Sequence, residues 1–164
     1  MPKLVMEKIG TIKSRKGFSL MELMIVIVII GILSAGALVI FGGKGEQAKQ
    51  AATKGMFNEM STYLGVEMMG CSMGETKTMN DNLTCSGRTA ATVVAAMVTS
   101  MTNDQMNPYE LDKSAVTNGG NNTSDSDAGF IRLSVSGTNI VAKVCHTKPC
   151  GTAANKTEKK IPFQ

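Results

Sequence analysis

From Leu23 to Phe41 the chain reads LMIVIVIIGILSAGALVIF, 19 residues without a charge. As a helix, a run of this length crosses the hydrocarbon of a bilayer, which takes roughly 20 apolar residues. It is longer than the apolar core of a cleaved secretory signal, usually about 7–15 residues. Before it stand Lys3, Lys8, Lys13, Arg15 and Lys16 against Glu7 alone, a net charge of +4. Cations on that flank predict a cytoplasmic N-terminus and export of everything after Phe41. The arm also accounts for the net +4 of the 164-residue chain, because residues 18–164 carry twelve basic and twelve acidic side chains. The basicity is therefore a topology signal rather than the footprint of a nucleic-acid partner.

A periplasmic binding domain with a simple signal peptide or anchor is the competing reading. Ala35-Gly36-Ala37 fits the small-x-small pattern of signal-peptidase sites, which would end the signal at Ala37. That reading leaves Glu22 without a purpose. An acid in a membrane helix costs about 2.5–3.5 kcal/mol at the centre and less near the interface. Such a residue calls for a partner.

Lys16-Gly17-Phe18-Ser19-Leu20-Met21-Glu22, followed by LMIVIVIIGIL, resembles the processing site of a type IV prepilin. The resemblance covers residues 13–41. It implies cleavage after Gly17 by a prepilin peptidase, N-methylation of Phe18 and a role in assembly for Glu22, the fifth residue of the mature chain. It implies an α+β, pilin-like fold: a long N-terminal helix, half transmembrane and half amphipathic, on a small antiparallel β-sheet head with disulfide-stapled loops. The expected divisions are a leader (1–17), a transmembrane assembly helix (18–43), and an amphipathic helix continuing into the head (44–164). The implied partners are other copies of the subunit, the peptidase, the pilus assembly machinery and, before assembly, the inner membrane. The implied destination is a surface fibre serving adhesion, aggregation, motility or DNA uptake. The alternative within the resemblance is a pseudopilin of a type II secretion or competence machine. A leader of this length leans toward the type IVb group, and Phe at the cut leans the other way.

The charges fit this resemblance. Cleavage would remove the whole +4 arm and create an amine at Phe18. Glu22 lies four residues on, about one helical turn. In a fibre, the amine of one subunit can meet the carboxylate of its neighbour, so that neither charge is buried unpaired. Gly31 and Ala35, four apart, allow close backbone approach between such helices. Prepilins often carry a helix-breaking Pro late in the apolar run. Here there is none, and the next breakers are Gly42-Gly43 and Gly45.

Beyond the run, Ala48, Ala52, Met56, Met60, Leu64 and Met68 recur every fourth residue, with Phe57 and Tyr63 beside them. This predicts one helix from Phe18 to Met69, packed on a head and stopped by Gly70. The methionines read as core filling. A second helix is expected over Arg88–Thr102, with Ser86 as cap and Ala90, Val94, Met97 and Met101 as its apolar stripe. Asn107-Pro108-Tyr109 ends that region, and residues 117–129 read as a polar loop. Ile131, Leu133 and Val135 alternate toward one buried face, and Ile140–Cys145 follows as the partner of a hairpin. The tail is an edge strand or loosely ordered.

Cys71, Cys85, Cys145 and Cys150 allow three pairings in an oxidising compartment. Proximity in sequence favours Cys71–Cys85 and Cys145–Cys150. Pilins often span more sequence with their C-terminal disulfide. Zinc at Cys145, His146 and Cys150 is a weaker reading, because adjacent ligands are awkward. Asp125-Ser-Asp127 is too sparse for a full calcium loop. Asn82, Asn122 and Asn155 open glycosylation sequons of a kind expected by chance in an Asn- and Thr-rich chain. A single His argues against a Ser-His-Asp triad, and the acids fall into no paired arrangement. No catalytic residue, metal or cofactor is expected.

Overall fold

A computed structural model describes residues 17–41 and 43–163. The basic arm, Lys3 to Lys16, lies outside the described residues. The chain falls into two units, with the boundary after Gly42.

In the first unit, helix α1 runs Leu20–Phe41. Its 22 residues extend about 33 Å at 1.5 Å per residue, enough to cross a bilayer. Ser19 caps it, taking the Glu22 N–H on Oγ at 3.1 Å.

The second unit opens with helix α2, Lys44–Ser72. The single helix expected from Phe18 to Met69 is thus two elements. Gly43, at φ 86°, stands at the N-cap of α2 in the left-handed region that glycine enters freely. Gly70 does not stop α2. The stop is Gly74, at φ 100°. The Gly74 N–H reaches the Cys71 carbonyl at 3.3 Å and the Glu75 N–H the Gly70 carbonyl at 3.1 Å, a Schellman closure.

The buried face of α2 is Thr53, Phe57, Met60, Ser61, Leu64 and Cys71. Ala48 and Ala52, placed on that face from their spacing, are exposed. Thr53 and Ser61 can enter the core because each hydroxyl bonds back to the carbonyl four residues before, Lys49 and Phe57, at 2.8 Å.

A short hairpin follows, strands β1 (Lys77–Thr78) and β2 (Leu83–Thr84). Its turn drives the Met79 side chain into the core and places the Met79 N–H on the Glu67 carboxylate. Helix α3 runs Ala90–Met101. Its cap is Thr89, not Ser86: Thr89 and Thr92 exchange side-chain-to-backbone hydrogen bonds. Ala90, Val94, Met97 and Met101 are buried as the stripe requires.

Strands β3 (Met106–Asn107) and β4 (Glu110–Ser114) form a second small antiparallel pair. The main sheet has order β5-β6-β7-β8: β5 (Val116–Asn118), β6 (Ile131–Ser136), β7 (Asn139–Cys145) and β8 (Lys156–Pro162). Strands β6, β7 and β8 are antiparallel, and β5 joins β6 in parallel. The tail therefore supplies the edge strand β8. Ile131, Leu133, Ile140, Ala142, Val144 and Ile161 form the inner sheet face and join α2 and α3 in one core. Val135 does not. It is 45% exposed at the far end of β6, beyond Leu133, the last residue that β5 pairs.

Candidate functional site

Helix α1 carries the residues singled out for processing and assembly. Gly17 and Phe18 precede it in irregular backbone, and Phe18 is 84% exposed. A peptide bond there is accessible to a peptidase. Glu22 occupies the third helical position, with its backbone N–H taken up by Ser19. A carboxylate in the first turn also suits the positive end of the helix dipole. Ser19 was not anticipated in this role. The signal was in the sequence: Ser19-Leu-Met-Glu22 has the Ser-x-x-Glu form of a helix start.

Every side chain from Leu20 to Gly36 is exposed, and the most apolar 18-residue stretch, Leu20–Ala37, is 0% buried. The helix is apolar on all sides, the pattern of a segment surrounded by lipid or by other helices. Met21, Met24, Ile25, Val28 and Ile29 line a shallow apolar groove along one flank. Ser34 donates its hydroxyl to the Ile30 carbonyl at 2.7 Å, so that hydroxyl adds no unbonded donor to the apolar surface. Gly31 has open space where a Cβ would stand, leaving room for a neighbouring backbone.

The head holds the remaining candidates. Cys71 bonds to Cys85 (S–S 1.97 Å) and Cys145 to Cys150 (S–S 1.92 Å). The second disulfide removes both thiolates from the zinc reading. His146, its neighbour, is 4% exposed, with Nδ1 3.4 Å from Gln50 Nε2. Burial, and secondarily the positive charge of Lys54, hold the imidazole below its ordinary pKa. Asp125 and Asp127 face protein partners. Asp125 Oδ1 accepts the Cys150 N–H at 2.8 Å, and Asp127 meets Arg132 at 2.6 Å. Burial pushes the Asp127 carboxyl upward. The backbone N–H of Ser124, the Arg132 guanidinium and the Thr123 N–H outweigh that and hold it below the usual range. Among the described residues no cluster of three or more His, Cys, Asp or Glu side chains is arranged for a metal. Asn122, a sequon residue, is 3% exposed and lies too deep for modification in the folded head.

Residues 12–38 match a family model described as the prokaryotic N-terminal methylation motif. That motif is the leader signature of type IV pilins and pseudopilins. No curated protein and no solved structure matches the chain. The match takes in Gly17, Phe18, Ser19, Glu22 and most of α1, and does not extend into the head.

Proposed function

We propose that this chain is the structural subunit of a type IV pilus. A prepilin peptidase cuts after Gly17, Phe18 becomes the methylated N-terminus, and α1 holds the subunit in the inner membrane until it is polymerised into an extracellular fibre. The role is mechanical rather than enzymatic, and the fibre serves adhesion, aggregation, motility or DNA uptake.

The observation that carries this reading is the coincidence, within one motif, of an exposed Gly17-Phe18 junction and an apolar helix, exposed from Leu20 to Gly36, with one acid in its first turn. A lone anchor needs apolar length but no acid. An assembly helix needs both, because the carboxylate has to find a cation on the neighbouring subunit.

Two measurements test it. The mass of the mature chain should correspond to an N-terminus at methylated Phe18. A chain beginning at Leu38 would make it an ordinary exported protein. Fibres sheared from the cell surface should contain this chain as their repeating subunit. Correct processing with the chain confined to the envelope would favour the pseudopilin instead.

A further inference from the structure

One flank of the head gathers cations around a single aromatic ring. Lys49 Nζ lies 5.3 Å from the centre of the Tyr109 ring and Lys148 Nζ 5.9 Å from it. The Tyr109 hydroxyl bonds to the His146 carbonyl at 3.0 Å, which ties the ring to the Cys145–Cys150 loop. Lys54 adds its charge beside His146. Lys54 and Lys148 are exposed and Lys49 is partly so. The opposing acid is Glu46, which pairs with Lys49 at 3.5 Å.

The position of this cluster in the chain selects its partner. Lys44, the first residue of α2, stands three residues after the last of α1, and Lys49 and Lys54 follow on the same helix. The residues between the helices are Gly42-Gly43, which have no side chains to restrict the backbone. Lysines just outside a membrane span meet lipid phosphates at high local concentration. The half-buried Tyr109 ring, held by its hydroxyl on the His146 carbonyl, fixes Lys49 and Lys148 beside one another, so their charges act together. Nucleic acid would be bound by the same cations. It lacks that proximity, and one half-buried tyrosine is a poor stacking platform.

We propose that Lys49, Lys54, Lys148 and Tyr109 form a docking surface for the anionic headgroups of the outer leaflet of the inner membrane. It holds the head against the bilayer while the subunit waits for assembly. The proposal rests on α1 being a membrane anchor. Extraction into a fibre then has to break the contact, which makes the cluster a determinant of how readily subunits leave the membrane.

The test uses the full chain in lipid nanodiscs, with a fluorescent residue at Ala51 and a quencher on the lipid headgroups. Discs contain phosphatidylcholine alone or with added phosphatidylglycerol. Quenching should be strong only with phosphatidylglycerol and should fall as salt is raised. Lys→Gln at all three positions should weaken the head–lipid equilibrium by about fivefold per lysine, and Lys→Arg at all three should retain it. Equal quenching in both lipids, or an unchanged Lys→Gln variant, overturns the proposal. So does capture of duplex DNA by the wild-type chain without a lipid effect, which would assign the cluster to nucleic acid. Failure of the chain to co-purify with the discs is a separate readout: it removes the anchor and the proposal with it.

Discussion

Ser19, Asp127 and His146 each do their work through one or two contacts. Among the described residues Ser19 supplies the only side-chain hydrogen bond at the start of α1, where the first helical N–H groups lack an intrahelical partner. Ser19→Ala should cost the first turn about 1 kcal/mol, visible as faster amide exchange at Glu22 and Leu23 in micelles. Unchanged exchange would mean the surrounding medium, not Ser19, orders that turn. In the head, Asp127 is depressed below the ordinary carboxylate value of 3.8. Its stabilising contribution is therefore complete above that value and is lost as pH falls toward the folded-state pKa. Asp127→Asn should lower the unfolding free energy by about 2 kcal/mol at neutral pH, and the difference should shrink below about pH 4. His146 acts in a different window. Its folded pKa is depressed, so the unfolded chain takes up a proton first as pH falls below 6.5. Stability should decline from there down to the folded-state pKa, by at most about 1.4 kcal/mol per pH unit, and His146→Gln should flatten that decline. Urea midpoints across about pH 2–8 check both residues.

At the scale of elements, the disulfide Cys71–Cys85 ties the end of α2 to the β1–β2 hairpin across 14 residues. A loop of about this size is worth about 3 kcal/mol in the denatured state. Cys71→Ser with Cys85→Ser should lower the urea midpoint accordingly. It should also loosen the hairpin that carries Met79 into the core. A change under ~1 kcal/mol would show that packing alone holds the hairpin. The elements also mark how far the sequence could be read. Existence and type were legible for α1 from its unbroken apolar run, and for α3 and the β6–β7 hairpin from their periods and flanking breakers, whereas the division between α1 and α2 was not. The burial face of α2 was not. A residue every fourth position drifts about 40° per step around a helix of 3.6 residues per turn. Five such steps from Ala48 to Met68 carry the stripe about half way round, so those six side chains cannot share one face. The real face alternates steps of three and four through Phe57, Met60 and Leu64 and admits Thr53 and Ser61, whose polarity had hidden them. The parallel strand β5 and the small pair β3–β4 were also illegible. Their pairing depends on contacts across the chain, such as Asn107 Nδ2 on the Ala128 carbonyl at 3.1 Å, and no local pattern announces them.

For the whole molecule, two surfaces have opposite needs. The head buries its own apolar residues, closes two disulfides and carries nearly balanced charge. Helix α1 buries nothing of its own among its described side chains and must be covered from outside. Lipid can cover it with no help from Glu22. Other copies of α1 can cover it only if Glu22 is neutralised, and under the proposed cleavage after Gly17 the natural cation is the amine at Phe18. The two coverings therefore separate in one variant. Glu22→Ala removes a cost of membrane residence and leaves the Gly17-Phe18 junction in place. It should be processed and accumulate in the membrane at least as well as the wild type. In a fibre it leaves the neighbour's Phe18 amine buried without a partner, a loss on the order of 3–5 kcal/mol at each subunit contact. Repeated at every subunit, that should reduce sheared fibre to a small fraction of the wild-type yield while the processed membrane pool grows. Wild-type fibre yield from Glu22→Ala would show that α1 packs by shape alone. Loss of processing together with fibre would place Glu22 in peptidase recognition rather than in the polymer.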